Sequence, residues 1–186
     1  MNISVQPYGS NLCHCRPDTT WERENKDYYS PEPVNRLHWA PVVFARICKA
    51  GKCINDRFAA RYYDGFGFGA LLYIGDRLPD LASSSCADHT SILPHPLYNP
   101  AVLEGTDNIY NVYRNAEKVF GCSTDGMKEK IERAICAASA MTSLRIGDFV
   151  AVELAPVAPL AERENEETCL KASFCENSLY DFKLIF

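Results

Sequence analysis

The sequence predicts an α+β fold, composed mostly of antiparallel strands with one main α-helix. A long apolar stretch at 63–76 alternates between large side chains and glycines, which indicates a buried strand, and apolar residues recur at three- and four-residue steps over 123–141, which indicates a helix. Other β-favouring segments are short and are separated by turn residues. A chain of 186 residues can bury one substantial core, so we expect a single domain spanning 1–186.

The stretch 63–76 has two different faces. Successive side chains of a strand point to opposite sides, so one face carries a continuous apolar row, formed by Phe66, Phe68, Ala70, Leu72 and Ile74. The opposite face carries Gly67, Gly69, Leu71, Tyr73 and Gly75. Glycine weakens a strand, so two spaced glycines on one face require a reason. Either another backbone or an aromatic ring approaches closely there, or the surface is cleared for a ligand.

Composition and charge argue against several classes of function. A net charge of −5 gives no electrostatic basis for binding nucleic acid or an anionic membrane. No apolar run is long enough to span a bilayer. The first ten residues have neither the basic region nor the apolar region of a signal peptide. We therefore expect a cytoplasmic protein with no nucleic-acid or membrane partner.

The nine cysteines are many for a chain of this length. Their number is odd and no export signal accompanies them, so we predict that they are reduced and serve mainly as small buried apolar side chains. Cys13-His14-Cys15 is a compact cluster of zinc-ligand types, but no second pair stands at finger-like spacing. No Cys-x-x-Cys redox motif occurs.

Residues 123–141 carry the pattern of an amphipathic helix. Its apolar stripe consists of Met127, Ile131, Ala134, Ile135, Ala138 and Met141. Charged side chains occupy the opposite face. Ser123, Thr124 or Asp125 is expected to cap the start of the helix. We expect the stripe to pack on the sheet that contains Phe66 to Ile74.

The chain divides into three parts. Residues 1–38 are polar and contain three prolines, which predicts an irregular N-terminal segment. Residues 39–154 form the core region of the domain. Residues 155–186 predict a C-terminal link, solvated and charged at 161–168, followed by a final strand within 175–186.

Within the core region, turn residues divide the β-favouring segments. Residues 39–54 predict a hairpin that turns at Ala50-Gly51, and residues 108–120 predict two strands around a turn at 114–117. Residues 78–100 are rich in proline and serine and predict irregular structure.

Several short motifs together resemble the fumarylacetoacetate hydrolase family. Their order along the chain follows the family's order: Pro41-x-x-Phe44-x-Arg46, Phe66 to Gly75, Asn115-Ala116-Glu117, Thr124-Asp125-Gly126-Met127 and Leu144-Arg145-Ile146-Gly147-Asp148. The central strand of the family runs approximately Tyr-Glu-x-Glu-Leu-x-x-x-Ile-Gly. The resemblance spans roughly residues 39–154. It implies a mixed β-sandwich roll with one main helix against it, like the C-terminal domain of the family.

The resemblance also implies a chemistry and shows where this chain departs from it. Members of the family cleave or rearrange carbon–carbon bonds of acyl-pyruvate-like substrates with a divalent metal that stabilises an enolate. Two glutamates of the central strand bind that metal, and Gly67 and Gly69 stand at their positions. The family's third carboxylate, in an Asn-Asp-x-x-x-Arg pattern, and its Gly-Thr-Pro loop are missing. We therefore expect no cofactor, the family's magnesium or manganese being lost.

The family's N-terminal part carries a His and a Glu that activate water. His14 and Glu22 are the comparable pair in this chain, but their spacing does not match the family's pattern. An exposed histidine and a solvated charge are the simpler interpretation, so no catalytic residue is assigned.

Three functional hypotheses remain. The first is a relative without catalysis that binds a small molecule or a protein partner. The second is an active hydrolase, isomerase or decarboxylase of acyl-pyruvate-like substrates with a relocated site. The third is an unrelated cytosolic α+β domain. Because glycine supplies no side-chain oxygen to a metal, the first hypothesis is preferred and an enzymatic function is disfavoured.

The candidate pocket is centred on the glycine face of the predicted strand. It comprises Arg46, Arg61, Asp64, Gly67, Gly69, Tyr73 and Asp76. Arg46 stands at the basic position that points towards the active site in the family, or it is a surface arginine on an edge strand. A homodimer is also expected, because family members generally pair and the C-terminal Leu184-Ile185-Phe186 offers an apolar patch.

Overall fold

The computed structural model describes residues 1–105, 107–164 and 167–186. The strands are β1 (Ile3–Gln6), β2 (His14–Arg16), β3 (Trp21–Glu22), β4 (Tyr28–Tyr29), β5 (Arg36–Ile47), β6 (Tyr63–Ile74), β7 (Ser91–Ile92), β8 (Ile109–Arg114), β9 (Glu117–Ser123), β10 (Phe149–Glu153), β11 (Ala158–Glu162), β12 (Thr168–Phe174) and β13 (Asn177–Ile185). The α-helices are α1 (Leu81–Ser84) and α2 (Met127–Met141).

The strands form two sheets. The first has the order β2-β1-β10-β5-β6-β7-β3, with β11 also pairing with β5, and the second has the order β4-β13-β12-β8-β9. The longest ladder joins β5 and β6 in antiparallel register, from Leu37 opposite Ile74 to Ile47 opposite Tyr63. The predicted class, mostly β with one main helix, is confirmed.

Strand β6 is buried on both faces, as a central strand of a sheet should be. Its large apolar side chains face the second sheet, where the ring of Phe68 stacks on that of Tyr110 with 4.6 Å between ring centroids. The glycine face belongs to a second apolar cluster on the other side of the first sheet, which includes Leu71, Phe44 and Phe149. The predicted division of this strand into two faces is confirmed.

Helix α2 begins later than predicted. Its first residue is Met127, and the residue before it is Gly126, with a φ of +68° and no side-chain hydrogen bond capping the helix. The predicted cap at 123–125 is therefore wrong, because glycine takes the left-handed turn into the helix. The stripe is buried as predicted except at its end, since Met141 is 80% exposed. The helix packs on the predicted sheet mainly at β10, β1 and β5. Its contact with β6 includes a hydrogen bond from the Tyr63 hydroxyl to Oε1 of Glu132.

Other boundaries also differ from the predictions. Residues 39–54 form no hairpin of their own, because β5 pairs with the more distant β6 and Gly51 instead bridges to Leu144. Ala50-Gly51 therefore lies within the connection 48–62 from β5 to β6 and is not a tight hairpin turn. The second hairpin is confirmed, with β8 pairing antiparallel to β9.

The two ends of the chain contain more strand than the sequence predicted. The N-terminal segment 1–38 supplies β1 to β4, and these join both sheets. Its strands are only two to four residues long, which is too short for an alternating pattern to predict them. The C-terminal part 155–186 contains β11 and β12 besides the predicted final strand. A short β7 also interrupts the predicted irregular segment 78–100.

The cysteines and the C-terminus are placed differently from expectation. All nine cysteines are free, but none is fully buried, so their role as buried apolar side chains is corrected. At the C-terminus Leu184 is buried in the core, and the guanidinium of Arg163 lies 5.6 Å from the ring centroid of Phe186. Within the described ranges, no helix is long and apolar enough to cross a membrane.

Candidate functional site

The two glycines of β6 face other parts of the protein rather than open space. They pair across the ladder with Phe44 and Val42 of β5. A β-carbon added to Gly67 would lie 2.6 Å from Cζ of Phe44, and one added to Gly69 would overlap the carbonyl oxygen of Ile92. Of the two interpretations of these glycines, the close approach of a ring and a backbone is the one observed. Longer side chains at these positions have no room unless the neighbouring chain moves.

Tyr73 lies further along the same face and belongs to a buried polar network. Its hydroxyl donates a short hydrogen bond to Oε1 of Glu153, whose Oε2 accepts the backbone N–H of Tyr8 at 2.9 Å. The guanidinium of Arg16 lies 4.5 Å from the centroid of the Tyr73 ring. Burial is the main cause that raises the pKa of Tyr73, and the charge of Glu153 raises it further while Arg16 opposes the shift. Tyr73 therefore stays protonated and acts as a donor.

Arg16 connects this network to two strands, β6 and β7. It is 1% exposed. Its guanidinium donates hydrogen bonds to the carbonyl oxygens of Leu72 and Thr90 and to Oγ of Ser91. A buried charge requires such partners to offset the loss of hydration. The network holds the N-terminal segment onto β6 and β7, so we interpret it as structural.

The four charged candidates lie at the surface. Arg46 forms a two-pronged ion pair with Asp64, with Nη2 at 3.0 Å from Oδ2. Asp76 accepts a hydrogen bond from Nε of Arg36 at 3.2 Å, and Arg61 is exposed. Asp64 and Asp76 stand at opposite ends of β6. The seven candidate residues are therefore divided between a closed interior face and the surface at the two ends of the strand.

The residues present do not fit the metal that the family uses. A hard divalent ion needs several oxygen ligands, and glycine offers no side-chain oxygen. Over residues 1–105, 107–164 and 167–186, no group of three or more His, Cys, Asp or Glu side chains is arranged to hold a metal ion. The face that the resemblance assigns to the metal is occupied by the apolar cluster around Phe44 and Phe149.

A cavity of about 840 Å³ lies elsewhere, where the edges of the two sheets meet. Strand β3 forms the edge of the first sheet and β4 the edge of the second, and a loop at 86–89 closes the space between them. We call this space the edge cavity; its walls include Glu22, Asp27, Tyr28, Tyr29, Asp88 and His89. The volume lies within the range of small-molecule sites. None of the seven candidate residues lines it.

The edge cavity brings together titratable groups that are distant in the sequence. Nδ1 of His89 lies 3.0 Å from Oε2 of Glu22, which is 5% exposed, while Oε1 of Glu22 accepts the backbone N–H of Glu24. His89 has a φ of +58°, so its backbone lies in a region that L residues seldom adopt. A buried carboxylate thus orients an exposed imidazole at the rim of the cavity.

Tyr28 is among the residues around the same cavity, and its hydroxyl is buried. The residue is 4% exposed, and its hydroxyl has no hydrogen-bond partner among the parts of the chain that the structure describes. Burial, together with the charge of Asp88, raises the pKa of Tyr28 to about 12. An unpaired buried hydroxyl is costly. This hydroxyl is closed off from water, so it belongs to the packed interior behind the cavity and not to its open surface.

The sequence offered His14 and Glu22 as a comparable pair without assigning them a role, and in the structure Glu22 pairs with a different histidine. His14 is largely buried, and neither ring nitrogen has a partner within residues 1–105, 107–164 and 167–186. Burial, with the charge of Arg16, lowers its pKa to about 4. His89 is the actual partner of Glu22. No spacing rule could have found this pair, because 67 residues separate its members and strand pairing between β3 and β7 brings them together.

No family model matches the sequence, and no curated protein matches it. Solved structures do match the fold. The fumarylpyruvate hydrolase from Pseudomonas aeruginosa, solved in complex with Mn²⁺ and pyruvate, has a TM-score of 0.80 at 15% identity over 100% of this chain and 90% of that one.

Two further structures give the same result. The 5-carboxymethyl-2-hydroxymuconate delta-isomerase from Mycobacterium smegmatis has a TM-score of 0.80 at 14% identity, covering 99% of this chain and 78% of that one. A Yersinia pestis CO92 protein provisionally assigned to the fumarylacetoacetate hydrolase family has a TM-score of 0.79 at 16% identity, covering 99% and 91%. The chain therefore has the fold of fumarylacetoacetate hydrolase-family proteins, which confirms the resemblance inferred from its motifs at the level of the fold.

Proposed function

We propose that this chain uses the fumarylacetoacetate hydrolase fold as a binding module and has lost metal-dependent cleavage of carbon–carbon bonds. The observation that carries the proposal is the closed face at Gly67 and Gly69, where the Phe44 ring and the Ile92 carbonyl occupy the space of the missing side chains. A structure that had merely lost two glutamates would leave a gap at these positions. Here neighbouring parts of the core fill both positions, so side chains could not be added there without moving their neighbours.

The closed face also changes what a restored pair of glutamates would do. The double change Gly67→Glu, Gly69→Glu would return both carboxylates of the family's central strand. The Ile92 carbonyl lies where the first side-chain carbon of residue 69 would be, so the double variant is expected to unfold the first sheet instead.

Two measurements on the unmodified chain test the proposal. We expect calorimetric titration with manganese chloride to show no saturable binding, and a spectrophotometric assay with fumarylpyruvate to show no turnover above buffer. The P. aeruginosa hydrolase, measured in parallel, is the positive control. Stoichiometric manganese binding together with turnover would overturn the proposal.

The alternative of an enzyme with a relocated site was built on Arg46, Arg61, Asp64 and Asp76. The ion pairs of Arg46 with Asp64 and of Arg36 with Asp76 do not bring these side chains to one place, so no observation favours it. The edge cavity is the better location for a ligand.

The assembly and location of the protein remain proposals. We propose a homodimer and a cytoplasmic location, the latter supported by nine free cysteines. The homodimer now rests on the resemblance alone, because Leu184 is buried in the chain's own core. A monomer mass by light scattering at tens of micromolar would contradict it.

A further inference from the structure

A positively charged surface lies on the connection 48–62 between β5 and β6. This connection carries four cationic side chains and one carboxylate, that of Asp56, in a chain whose net charge is −5. All four cations are exposed, and none of them forms an ion pair within the described ranges. They belong to Lys49, Lys52, Arg57 and Arg61. The connection is therefore a local region of positive charge on an acidic protein.

Three of these cations lie over aromatic rings. The guanidinium carbons of Arg57 and Arg61 lie 4.5 Å and 5.2 Å from the centroid of the Phe58 ring. Nζ of Lys49 lies 5.3 Å from the centroid of the Tyr62 ring. A ring attracts a cation and restricts its side chain, but it uses none of the N–H donors at the edge of a guanidinium. These donors therefore stay available to acidic groups of another molecule.

The cations of β12 and β13 show the opposite arrangement. Nζ of Lys171 lies 2.7 Å from Oδ2 of Asp181, and Nζ of Lys183 lies 2.6 Å from Oε1 of Glu167. Each of these charges is compensated by a carboxylate of the chain itself, so a partner gains little by approaching it. The uncompensated cations of 48–62 offer a partner more.

Hydrogen bonds anchor the connection to helix α2 and to the residues that follow the helix. The backbone N–H groups of Cys53 and Ile54 donate to the carbonyl oxygen and to Oγ of Ser139, at 2.8 Å and 2.9 Å. Gly51 and Leu144 exchange two backbone hydrogen bonds. The cations therefore stand on a backbone that a partner does not have to order, which lowers the cost of binding.

The bridge to Leu144 places a second exposed segment, 141–146, beside the first. Arg145 adds an exposed cation without an ion pair among the described residues, while Met141 and Ile146 are 80% and 72% exposed. The nearby carboxylate of Asp148 is buried and accepts backbone N–H groups. Protruding apolar side chains suit contact with a partner protein. We call this surface the basic platform; it consists of Lys49, Lys52, Arg57, Arg61, Arg145, Met141 and Ile146.

The platform favours one kind of anionic partner over two others. Single-stranded nucleic acid binds by stacking its bases on aromatic rings, but the rings of Phe58 and Tyr62 already carry cations. An anionic membrane would face the whole protein, whose net charge is −5. A short acidic segment contacts the platform alone, because distant charges are screened over about 8 Å at physiological salt.

We propose that the basic platform binds a short acidic segment of another protein. Carboxylates of the segment pair with the platform's arginines and lysines, and its apolar side chains contact Met141 and Ile146. This inference rests on the proposed function as a binding module and gives that module a class of partner.

Three matched peptides test the proposal, each with four repeats of Glu-Glu-Leu, Gln-Gln-Leu or Glu-Glu-Ser and blocked ends. Fluorescence anisotropy with the full chain at about 0.1 M salt is expected to show Glu-Glu-Leu binding about tenfold tighter than Gln-Gln-Leu, from several exposed ion pairs. Glu-Glu-Ser should bind severalfold more weakly than Glu-Glu-Leu. Equal affinity for any two of these peptides, or no binding of Glu-Glu-Leu at millimolar concentration, would overturn the proposal.

Two further probes separate the acidic segment from other anions. They are a fifteen-nucleotide oligothymidylate and vesicles of phosphatidylcholine and phosphatidylserine in a 7:3 ratio. Both should bind more weakly than the Glu-Glu-Leu peptide. Tighter binding of either probe would replace the proposed partner with a nucleic acid or a membrane surface.

A pair of double variants locates the binding. Arg57→Gln with Arg61→Gln removes the two guanidiniums over Phe58 and should weaken the Glu-Glu-Leu peptide at least fivefold. Lys171→Gln with Lys183→Gln makes the same change in net charge at the paired cations and should stay within about twofold of the unmodified chain. All four side chains are exposed, so both variants are expected to keep the fold. Equal losses in the two variants would mean that net charge alone attracts the peptide, and the platform would be wrong.

This outcome is separable from that of the proposed function. Manganese binding with turnover of fumarylpyruvate would contradict the loss of metal chemistry and leave the peptide preference standing. Absence of both manganese binding and peptide preference would contradict only the assignment of the basic platform.

Discussion

The glycine face of β6 and the edge cavity differ in how far their polar groups reach solvent. On the glycine face Tyr73 and Glu153 bond to each other, and apolar side chains fill the rest. At the edge cavity the exposed imidazole of His89 pairs with the Glu22 carboxylate at the rim. The face that the resemblance assigns to a metal is packed core, while a titratable pair reaches solvent where the two sheet edges meet.

This contrast teaches that a site is better located by titratable side chains that reach solvent in a cavity than by position in a shared fold. A fold positions backbone, but function depends on the side chains that a given sequence places there. Four predictions test this contrast and the core around it, in order of decreasing effect on the free energy of unfolding.

The largest effect is expected at the closed face. Gly69→Ala puts a methyl group on the carbonyl oxygen of Ile92, so β6 and β7 must separate, and we expect a loss of about 4 kcal/mol or more in the free energy of unfolding. Urea denaturation measures it. Gly121→Ala on the edge strand β9 is the control, because the new methyl meets mainly the flexible end of Lys118 and should cost within about 0.5 kcal/mol. Equal, small effects at both glycines would show that the face is open.

The second prediction concerns the helix that covers the same sheet. Ile135 is fully buried in α2, so Ile135→Ala should lower the free energy of unfolding by about 2–4 kcal/mol. Met141→Ala on the same helix should have little effect, because this side chain is 80% exposed. A value near zero for Ile135→Ala in chemical denaturation would show that the helix is peripheral.

The third prediction tests whether the polar network on the closed face is structural. Tyr73→Phe removes the hydroxyl that donates to Glu153 and leaves a buried carboxylate short of a donor, which should cost about 1–3 kcal/mol. Tyr29→Phe at the edge cavity is the control, since Tyr29 is 71% exposed and its loss of a hydroxyl should be neutral. Unchanged stability in Tyr73→Phe would mean that this network does not hold the face together.

The sequence predicted the parts of the fold that local periodicity encodes. The two faces of β6, the hairpin of β8 and β9, and the buried stripe of α2 all follow from spacing alone. The N-terminal strands did not, because two- and three-residue strands carry too few side chains for a pattern and are stabilised by partners far along the chain. The start of α2 was missed because a left-handed glycine, rather than a capping side chain, begins it.

The site was predicted less well than the fold for a related reason. The resemblance pointed to Gly67 and Gly69, and sequence alone could not distinguish an empty face from a filled one. That distinction depends on Phe44 and Ile92, which reach the face through strand pairing. The pairing of Glu22 with His89 arises in the same way, so no motif could signal the edge cavity.

The smallest effect on stability is expected from the protonation of His14. His14 is enclosed without a partner and its pKa is lowered to about 4, below the 6.5 of an unfolded histidine, so the unfolded chain binds a proton more readily. Its contribution to stability is therefore fully present above pH 6.5 and is lost as the pH falls from 6.5 towards 4. After a discount for residual contact with water, we expect about 1 kcal/mol of the acid destabilisation at pH 5 to come from His14.

The difference between the unmodified chain and His14→Phe isolates this contribution, because the carboxylates that also titrate near pH 5 are common to both proteins. Urea denaturation of both proteins at pH 7 and pH 5 gives four free energies of unfolding. His14→Phe should lose less stability between the two pH values than the unmodified chain does. An identical loss in the two proteins would mean that His14 is as accessible to protons in the folded chain as in the unfolded one, and that this end of β2 is open to water.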